Sequence, residues 1–458
     1  MSTELGPEDT DVLKSSIAGD VILPGDDGYD DARAAWNLVA DQHPAVVVMP
    51  ESAEDIAATV RFAAERGLHV APQGTGHGAA SVPDLGSAIL LQTSRMTDVA
   101  IDPNAKTARA GAGAQWKHVV GPAAEHGLAA LHGSAKTVGV VGYHAGGGHA
   151  WVGRSEGWAC NNVRSFEAVT AAGEIVTASA DSEPDLFWAL RGGGGAHAIV
   201  TAIEIELIEL TEAFAGGLLW DIELAADISR AWRDITRGAP DALASTLKLV
   251  RFPPFPELPE PIRGKAFVGV TFAFRGSEAD GRELIAPLLA VADPAIDQTG
   301  VVPAAALSEI AGDPEDPVPG LGFSAALDSF EDDAIDAYVE LAGPGVDVPL
   351  IHLEVRHLGG ALAQSDPSNG ALDAIDSPYL LGSIGAVMSP EMGQAVEATF
   401  ARIEERVKPW TNDRSVLGFA EHRPGWRSSF PASVADRLAQ VRDAYDPGKL
   451  IVANHDSE

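Results

Sequence analysis

Residues 137–148 read TVGVVGYHAGGG, and this stretch constrains the architecture of the chain more than any other. Two further glycine-rich stretches accompany it, QGTGHG at residues 73–78 and RGGGG at residues 191–195. Glycine lets a backbone approach a ligand closely, and successive amides in such loops can converge on an anion. Each stretch alone would fit an unrelated tight turn, but three of them favour a nucleotide-type cofactor held by its diphosphate.

The motifs of several other sites are missing. None of the three stretches matches G-x-G-x-x-G or G-x-x-x-x-G-K-[ST], which disfavours a Rossmann dinucleotide site and a P-loop. The chain contains no H-E-x-x-H sequence, and its 13 histidines are scattered, so we expect no metal site. The single cysteine, Cys160, excludes an internal disulfide and a cysteine-based zinc cluster.

Short apolar runs and helical patterns alternate around the glycine stretches. Val46–Met49 predicts a strand, and Ser52 begins a helix that Gly67 ends. Beyond about residue 212, alternating apolar residues predict further strands, and residues 391–407 and 433–443 predict helices. The order of these elements indicates an α+β fold.

The motifs together resemble one known family. Residues 74–77 resemble its histidine-attachment loop, residues 137–148 its pyrophosphate loop, and residues 192–201 its G-G-G-N-F-G-I-V-T element. Residues 445–450, followed by Asn454, resemble its C-terminal Y-D-P-x-N-x-F signature. The family is the vanillyl-alcohol-oxidase superfamily with a PCMH-type FAD domain, and within it the berberine-bridge-enzyme-like oxidases.

The resemblance implies an α+β architecture in which a two-part PCMH-type FAD-binding domain is joined to an antiparallel-sheet substrate domain with helices on one face. We expect an N-terminal entry segment over residues 1–40 and the FAD-binding domain over residues 41–211. The substrate-binding domain would follow over residues 212–410. Residues 411–458 would form a segment that returns to the FAD domain.

The resemblance also implies that FAD is bonded covalently to His77 through the 8α-methyl carbon of the flavin. The alternative is that His77 only makes a hydrogen bond within its turn. Many relatives add a second bond from a cysteine, but Ala135 stands at that position, so we expect one bond only. The other residues expected to bind the cofactor are Gln73, Gly74, Thr75, Gly76, Gly78, Thr137, Val138, Gly142, His144, Ala145, Gly146, Ile199, Val200 and Asn454.

Strand parity selects candidate catalytic residues in the substrate domain. Ile351, Leu353 and Val355 share one face of a predicted strand, which we expect to be the helix side. The opposite face carries His352, Glu354 and Arg356, a set suited to a buried reaction site or to an ordinary solvated face. Tyr379, on the next apolar run, could orient a substrate hydroxyl or pack in the core.

We therefore expect an FAD-dependent oxidoreductase that moves a hydride from a C–H beside oxygen or nitrogen to flavin N5, with dioxygen reoxidising the flavin to give hydrogen peroxide. Val138 would aid oxygen access or simply pack. One alternative is a dehydrogenase that uses another electron acceptor. The other is a non-catalytic protein that binds flavin or a drug.

The charge of the chain limits its partners. The formal net charge is −35, from 66 acidic and 31 basic residues, which disfavours nucleic acid and anionic membranes. The acidity fits either a cationic substrate or a solubilising surface. The N-terminus lacks the basic start and apolar core of a signal peptide, so we expect a cytoplasmic protein. The expected partners are a small organic molecule and dioxygen, with the chain a monomer or homodimer.

Overall fold

The structure is a computed structural model that describes residues 5–412, 414–421 and 426–455. The α-helices of these residues are α1 (Pro7–Ser16), α2 (Tyr29–Arg33), α3 (Ala53–Arg66), α4 (Trp116–Ala124), α5 (Val140–Ala145), α6 (Gly153–Glu156), α7 (Pro184–Leu190), α8 (Ala225–Gly238), α9 (Glu278–Leu289), α10 (Asp332–Ala342), α11 (Pro390–Val407) and α12 (Ala432–Tyr445). Short 3-10 helices lie at Ala79–Ser81, Ala159–Asn162, Ile222–Leu224, Ala304–Ser308, Gly360–Ala363, Lys408–Trp410, Leu417–Phe419 and Arg427–Ser429.

The strands pair into three main sheets and one short two-stranded pair. They are β1 (Asp20–Ile22), β2 (Val46–Met49), β3 (His69–Gln73), β4 (Ala88–Gln92), β5 (Val99–Asp102), β6 (Thr107–Gly111), β7 (Leu128–Ala129), β8 (Val163–Val169), β9 (Ile175–Ser179), β10 (Ile199–Glu206), β11 (Ile208–Glu209), β12 (Glu212–Asp221), β13 (Leu243–Arg251), β14 (Ala266–Phe274), β15 (Ile296–Asp297), β16 (Gly300–Pro303), β17 (Gly320–Leu327), β18 (Leu350–His357) and β19 (Tyr379–Ala386).

The first sheet has the order β1–β2–β4–β3, in which β2, β4 and β3 are parallel and β1 is antiparallel. Helix α3 connects β2 to β3. The Ser52 side chain accepts a hydrogen bond from the Asp55 amide at its start, and Gly67, with a φ of 64°, ends it. Since β3 ends at Gln73, residues 74–78 leave the carboxyl end of a parallel strand, where ligands commonly bind in such sheets.

The second sheet is antiparallel, with the order β5–β6–β10–β8–β9. Its core contains many alanines and the fully buried Trp116 of α4. Helix α5 adds Val140 to the same core. Residues 137–148 are thereby fixed between this sheet and the first one.

The third sheet is also antiparallel, with the order β15–β12–β14–β13–β18–β19–β17 and with β16 paired to β12. Helices α8 to α11 cover one of its faces, where Trp220, Trp232 and Phe400 are almost fully buried. Each side chain of this size contributes about 1.5–3 kcal/mol by leaving water. The other face is left for polar residues, and the α+β expectation, with helices on one face of an antiparallel sheet, is confirmed.

The last described segment returns to the first sheet. Ile451 pairs with Val70 beside β3, where the Val70 amide donates to the Leu450 carbonyl and the Val452 amide donates to the Val70 carbonyl, both at 2.9 Å. This return brings Asn454 next to residues 74–78. No described helix combines the length and the apolarity needed to cross a bilayer.

One sequence expectation is wrong in detail. The prediction that Ile351 points to the helix side fails, because a bulge between Leu350 and His352 lets Leu350 enter the core and leaves Ile351 38% exposed. The N-terminal entry segment contains α1, α2 and β1, and β1 adds an antiparallel edge to the first sheet.

Candidate functional site

Four consecutive backbone amides form a candidate anion site at residues 75–78, here called the attachment loop. Among the described residues these amides have no acceptor, whereas the Thr75 and Gly76 carbonyls accept hydrogen bonds from the Trp36 and Asn37 amides. Gly76 has a φ of 78°, and a Cβ there would lie 2.7 Å from the Ala35 Cβ. The loop therefore requires glycine at this position and keeps its donors free for a ligand such as a diphosphate.

The His77 imidazole is held on three sides. Its Nδ1 lies 2.8 Å from the Thr75 hydroxyl and its Nε2 lies 3.3 Å from the Thr137 hydroxyl. The Trp36 ring stacks on its face with centroids 4.0 Å apart and 11° between the planes. Burial lowers the pKa of His77 to about 4, with Asp313 opposing the shift. The ring is therefore neutral near pH 7, and a neutral imidazole keeps a lone pair for bond formation.

The three glycine stretches meet. A Cβ on Gly139 would lie 3.5 Å from the Thr75 side chain, which places the second stretch against the attachment loop. The Gly194 amide donates to the Ala145 carbonyl at 3.0 Å, which joins the third stretch to the second. Gly146 lies against Gly418 and accepts its amide hydrogen bond at 3.0 Å. The three glycine stretches, which are far apart in the sequence, are therefore in contact in the fold.

The remaining predicted cofactor residues differ in how they contribute. Buried Gln73 has an Nε2 with no partner among the described residues, and Asn454 donates to the Gly78 carbonyl at 2.7 Å. No atom lies within 4 Å of a Cβ built on Gly142, which leaves open space there.

The other predicted cofactor residues are held by contacts within the protein. A Cβ on Gly74 would contact the Ala112 carbonyl at 3.3 Å, and the His144 Nδ1 bonds to the Val140 carbonyl at 2.7 Å. The side chains of Val138, Ile199 and Val200 pack in the cores, so any cofactor contact from Ile199 would use the backbone.

Charged side chains lie on the face of the third sheet that the helices leave uncovered, here called the polar face. The Glu354 Oε1 accepts a hydrogen bond from Arg356 Nε at 2.6 Å, and its Oε2 lies 3.5 Å from Lys248 Nζ and 3.7 Å from His352 Nε2. Burial alone would raise the pKa of Glu354, but Arg356, Lys248 and His352 together bring it well below its usual range. Burial lowers the pKa of His352 to about 4 against the pull of Glu354.

The structure does not bring Tyr379 to this face. Its hydroxyl lies 2.8 Å from the Thr236 hydroxyl of α8, and its ring packs near Trp232 with centroids 5.6 Å apart. Tyr379 is the cross-strand partner of His357, and both belong to the helix side because their parity matches that of Val355. Tyr379 is therefore a core residue, and its assignment as a candidate catalytic residue is corrected.

A loop between β16 and β17 links the attachment loop to the polar face. Asp313 in this loop lies within electrostatic range of both His77 and His352, since its charge opposes the lowering of both pKa values by burial. The Trp36 Nε1 donates to the Glu315 carbonyl at 3.2 Å. A pocket of about 200 Å³ opens here between residues 135–137 and residues 308–315. Neither Asp313 nor Trp36 was predicted from the sequence, because no local pattern signals contacts between segments so far apart in the chain.

Aromatic side chains lie beside Arg356 on the polar face. Arg356 lies over the Phe419 ring, 4.8 Å from its centroid. Tyr143 of the second glycine stretch and His149, which follows that stretch, lie in electrostatic range of Arg356, and the Tyr143 Oη and His149 Nε2 are buried without a partner among the described residues. Burial lowers the pKa of His149 to about 3 and raises that of Tyr143 well above its usual value. Both therefore stay neutral and can donate or accept single hydrogen bonds.

Cys160 and Ser155 could act as nucleophiles by residue type, but both are engaged in contacts that stabilise the fold. Cys160 is buried, with its Sγ directed at the Leu372 carbonyl at 3.8 Å, and burial raises its pKa to about 12. Ser155 stands in GRSEG at residues 153–157, which has the G-x-S-x-G pattern of serine hydrolases. Its hydroxyl donates to the Val152 carbonyl at 3.0 Å and accepts from Arg275 at 2.9 Å. Neither thiol nor hydroxyl is arranged as a nucleophile.

Comparison with known proteins agrees with this geometry. Residues 44–179 match the family model described as FAD binding domain. The chain is 34% identical over 206 residues to (R)-6-hydroxynicotine oxidase of Paenarthrobacter nicotinovorans, a region that covers 45% of each chain. The chain spans about half the length of the curated relatives that it matches.

Solved structures extend the match in fold to nearly the whole chain. The structure of 6-hydroxy-D-nicotine oxidase from Arthrobacter nicotinovorans superposes with a TM-score of 0.81 and 24% identity, covering 97% of this chain and 98% of that one. Glucooligosaccharide oxidase from Acremonium strictum, whose structure is described with a 6-S-cysteinyl, 8α-N1-histidyl FAD, superposes with a TM-score of 0.80 and 21% identity over 97% of this chain and 98% of that one.

The free amides of residues 75–78, the unpartnered Gln73 amide and the open space over Gly142 all suit a flavin dinucleotide. The chain therefore carries an FAD-binding domain over residues 44–179 and takes FAD as its cofactor, and its overall fold is that of the two solved oxidases described above.

Proposed function

We propose that the protein is an FAD-dependent oxidase that removes a hydride from a C–H next to oxygen or nitrogen in a small organic molecule. The observation that carries this proposal is the contact between the two regions: the Asn37 amide donates to the Gly76 carbonyl of the attachment loop, and the Asn37 side chain bonds to the Gly320 backbone at the start of β17. When bound, FAD supplies the hydride acceptor and passes the electrons to dioxygen. The protein supplies position, charge and proton exchange.

We propose that His77 is the covalent attachment point and the only one. The neutral imidazole is oriented by the Thr75 and Thr137 hydroxyls and covered by Trp36, so its ring has one orientation. The amides of residues 75–78 would hold the diphosphate by direct N–H bonds, which suits a chain with a net charge of −35 because no lysine cluster is needed. The inert surroundings of Cys160 favour a single tether.

On the polar face, Glu354 is a fixed negative charge. Arg356 and Lys248 hold its carboxylate, and its Oε2 has no hydrogen-bond partner among the described residues. That free oxygen can accept a hydrogen bond from a substrate hydroxyl or amine and orient it. His352, being neutral, can share the same substrate group as donor or acceptor.

The alternative function is a dehydrogenase, because solved structures of this fold include dehydrogenases as well as oxidases. Among proteins of this fold, wild-type Phl p 4 is described as a glucose dehydrogenase, and a single isoleucine-to-valine variant of it is described as a glucose oxidase. Fold alone therefore leaves the electron acceptor open.

Anaerobic mixing separates the possibilities. The purified holoprotein is mixed without oxygen with panels of sugars, secondary alcohols and cyclic amines, and flavin absorbance is followed. An oxidase loses its oxidised spectrum with a substrate and regains it promptly in air with formation of hydrogen peroxide. Slow return in air but rapid return with a quinone would replace the oxidase by a dehydrogenase. Failure of every panel to reduce a bound, dithionite-reducible flavin would favour a binding protein.

A further inference from the structure

A second carboxylate reaches the polar face from the C-terminal segment. The Glu421 Oε2 accepts a hydrogen bond from the Gly322 amide of β17 at 3.1 Å. A Cβ on Gly322 would lie 2.9 Å from the same oxygen, so the carboxylate covers this glycine on the side where a side chain would project. Gly322 pairs with Ile384, and Ile384 pairs with His352, which shows that this side is the polar face.

The two carboxylates occupy neighbouring positions. Glu354 leans over Gly382, where a Cβ would lie 3.2 Å from its Oε1. Gly382 pairs with Ser324, two residues from Gly322, so the two glycines are diagonal neighbours on adjacent strands. Such positions are about 7–8 Å apart. A small substrate group lying over these glycines would have one carboxylate on either side.

Their surroundings differ. Glu354 is held by two cations, whereas Glu421 has no cation within ion-pair distance among the described residues. Burial raises the pKa of Glu421 to about 7, with the Gly322 hydrogen bond opposing the shift. Paired titratable groups whose environments separate their pKa values divide acid–base work between them.

We propose that Glu421 is the residue that accepts the O–H or N–H proton of the substrate, while Glu354 remains ionised and orients the same group. The inference rests on the proposed function and names the residue that acts as the general base in that oxidation. The proton passes to the Glu421 carboxylate, and the neighbouring C–H leaves as hydride to the bound FAD, which leaves a C=O or C=N bond in the product. Dioxygen finally takes up the two electrons and both protons as hydrogen peroxide.

Among the described residues, the ionisable groups on the face that Glu421 covers belong to β13 and β18, and β13 contributes Lys248. Strands β17 and β19 present glycine, Ser324 and Ile384 on this face, and β18 presents His352, Glu354 and Arg356. Of these, Glu354 stays ionised because Arg356, Lys248 and His352 bring its pKa well below its usual range against the effect of burial, and burial keeps His352 neutral. Among the described residues, Asp313 is a further carboxylate in electrostatic range of His352. The rate constant for substrate-driven reduction should therefore rise with pH through about 7, because Glu421 must be ionised to accept a proton.

The first test compares Glu421→Gln with the holoprotein. Glutamine keeps an oxygen for the Gly322 amide, so the fold is preserved, and Glu404→Gln on the exposed side of α11 is the matched control. The rate constant for anaerobic reduction by a substrate found in the panels should fall by about 10²–10⁴-fold in Glu421→Gln, and its inflection near neutral pH should vanish. Reoxidation of the dithionite-reduced protein in air should be unchanged. A reduction rate within about twofold of the parent would overturn the proposal.

The second test needs no substrate. Infrared difference spectra of the oxidised holoprotein, taken about one and a half units on either side of neutrality, should show a protonated carboxyl band that is lost at the higher pH and is absent from Glu421→Gln. Glu404→Gln should keep the band. If the band survives in Glu421→Gln or never appears, Glu421 is not poised as a proton acceptor, whatever the panels show. Failure of the panels with the band present would instead count against the proposed oxidase alone.

Discussion

The attachment loop and the polar face, which the proposed function joins in one site, are built from different materials. The loop offers consecutive backbone amides, one imidazole and a glycine that nothing else can replace at a φ of 78°. The face offers side chains from strands far apart in sequence, with Lys248, Glu354 and Glu421 contributed by β13, β18 and the C-terminal segment. The loop can hold a cofactor common to many proteins, whereas the face can change its substrate without disturbing the loop.

The largest expected effect tests the independence of the loop. His77→Ala should abolish flavin fluorescence of the denatured protein band after acid treatment, because no other described nucleophile is poised for attachment and Cys160 is buried with a raised pKa. Non-covalent FAD should remain, since the amides of residues 75–78 are unchanged. Denaturing gels viewed under ultraviolet light, together with absorbance of the native protein, measure both quantities.

Thr137→Val is the matched control for this change. It removes the weaker hydroxyl contact at 3.3 Å but leaves the imidazole, so the fluorescent band should persist. A fluorescent band in His77→Ala would place the bond elsewhere and remove the basis for the comparison.

The next effect tests the face. Glu354→Gln removes the negative charge that orients the substrate and leaves Arg356 and Lys248 without their counter-charge. We expect the rate constant for flavin reduction to fall by about 10²-fold, at the low end of what a positioned acid–base group contributes. FAD content and the fluorescent band should equal those of the parent. Stopped-flow reduction with gel analysis of the same preparation checks this, and loss of FAD from Glu354→Gln would show that loop and face are not separable.

What the sequence could predict follows the same division. The attachment loop and the second glycine stretch were visible in the sequence because their glycines occur where the backbone has a positive φ, as at Gly76, Gly147 and Gly148. The common face of His352, Glu354 and Arg356 was predictable because strand parity is a local, two-residue pattern.

The residues that were missed depend on long-range pairing. Lys248 joins Glu354 only through the register of β13 with β18. Glu421 lies 99 residues after Gly322 in the chain and reaches the polar face from the C-terminal segment. Trp36 covers His77 because the N-terminal segment crosses the attachment loop. Parity within a strand does not say which face meets the helices, so the sequence left both a substrate contact and a core position open for Tyr379, and the structure places it in the core.

The smallest expected effect tests Ile351, where the strand-parity prediction was wrong because of the bulge in β18. Ile351 and Leu353 share parity in the sequence, yet the bulge before His352 leaves Ile351 38% exposed and Leu353 fully buried. Ile351→Thr should therefore change the free energy of unfolding by no more than about 0.5 kcal/mol, as for a surface position. Leu353→Ala, the matched change at the buried position, should lower it by about 2–5 kcal/mol because it leaves a cavity among the helices. Urea unfolding of both variants measures the difference, and equal losses would mean that β18 runs without a bulge, so that Ile351 would enter the core beside Leu353 in place of Leu350.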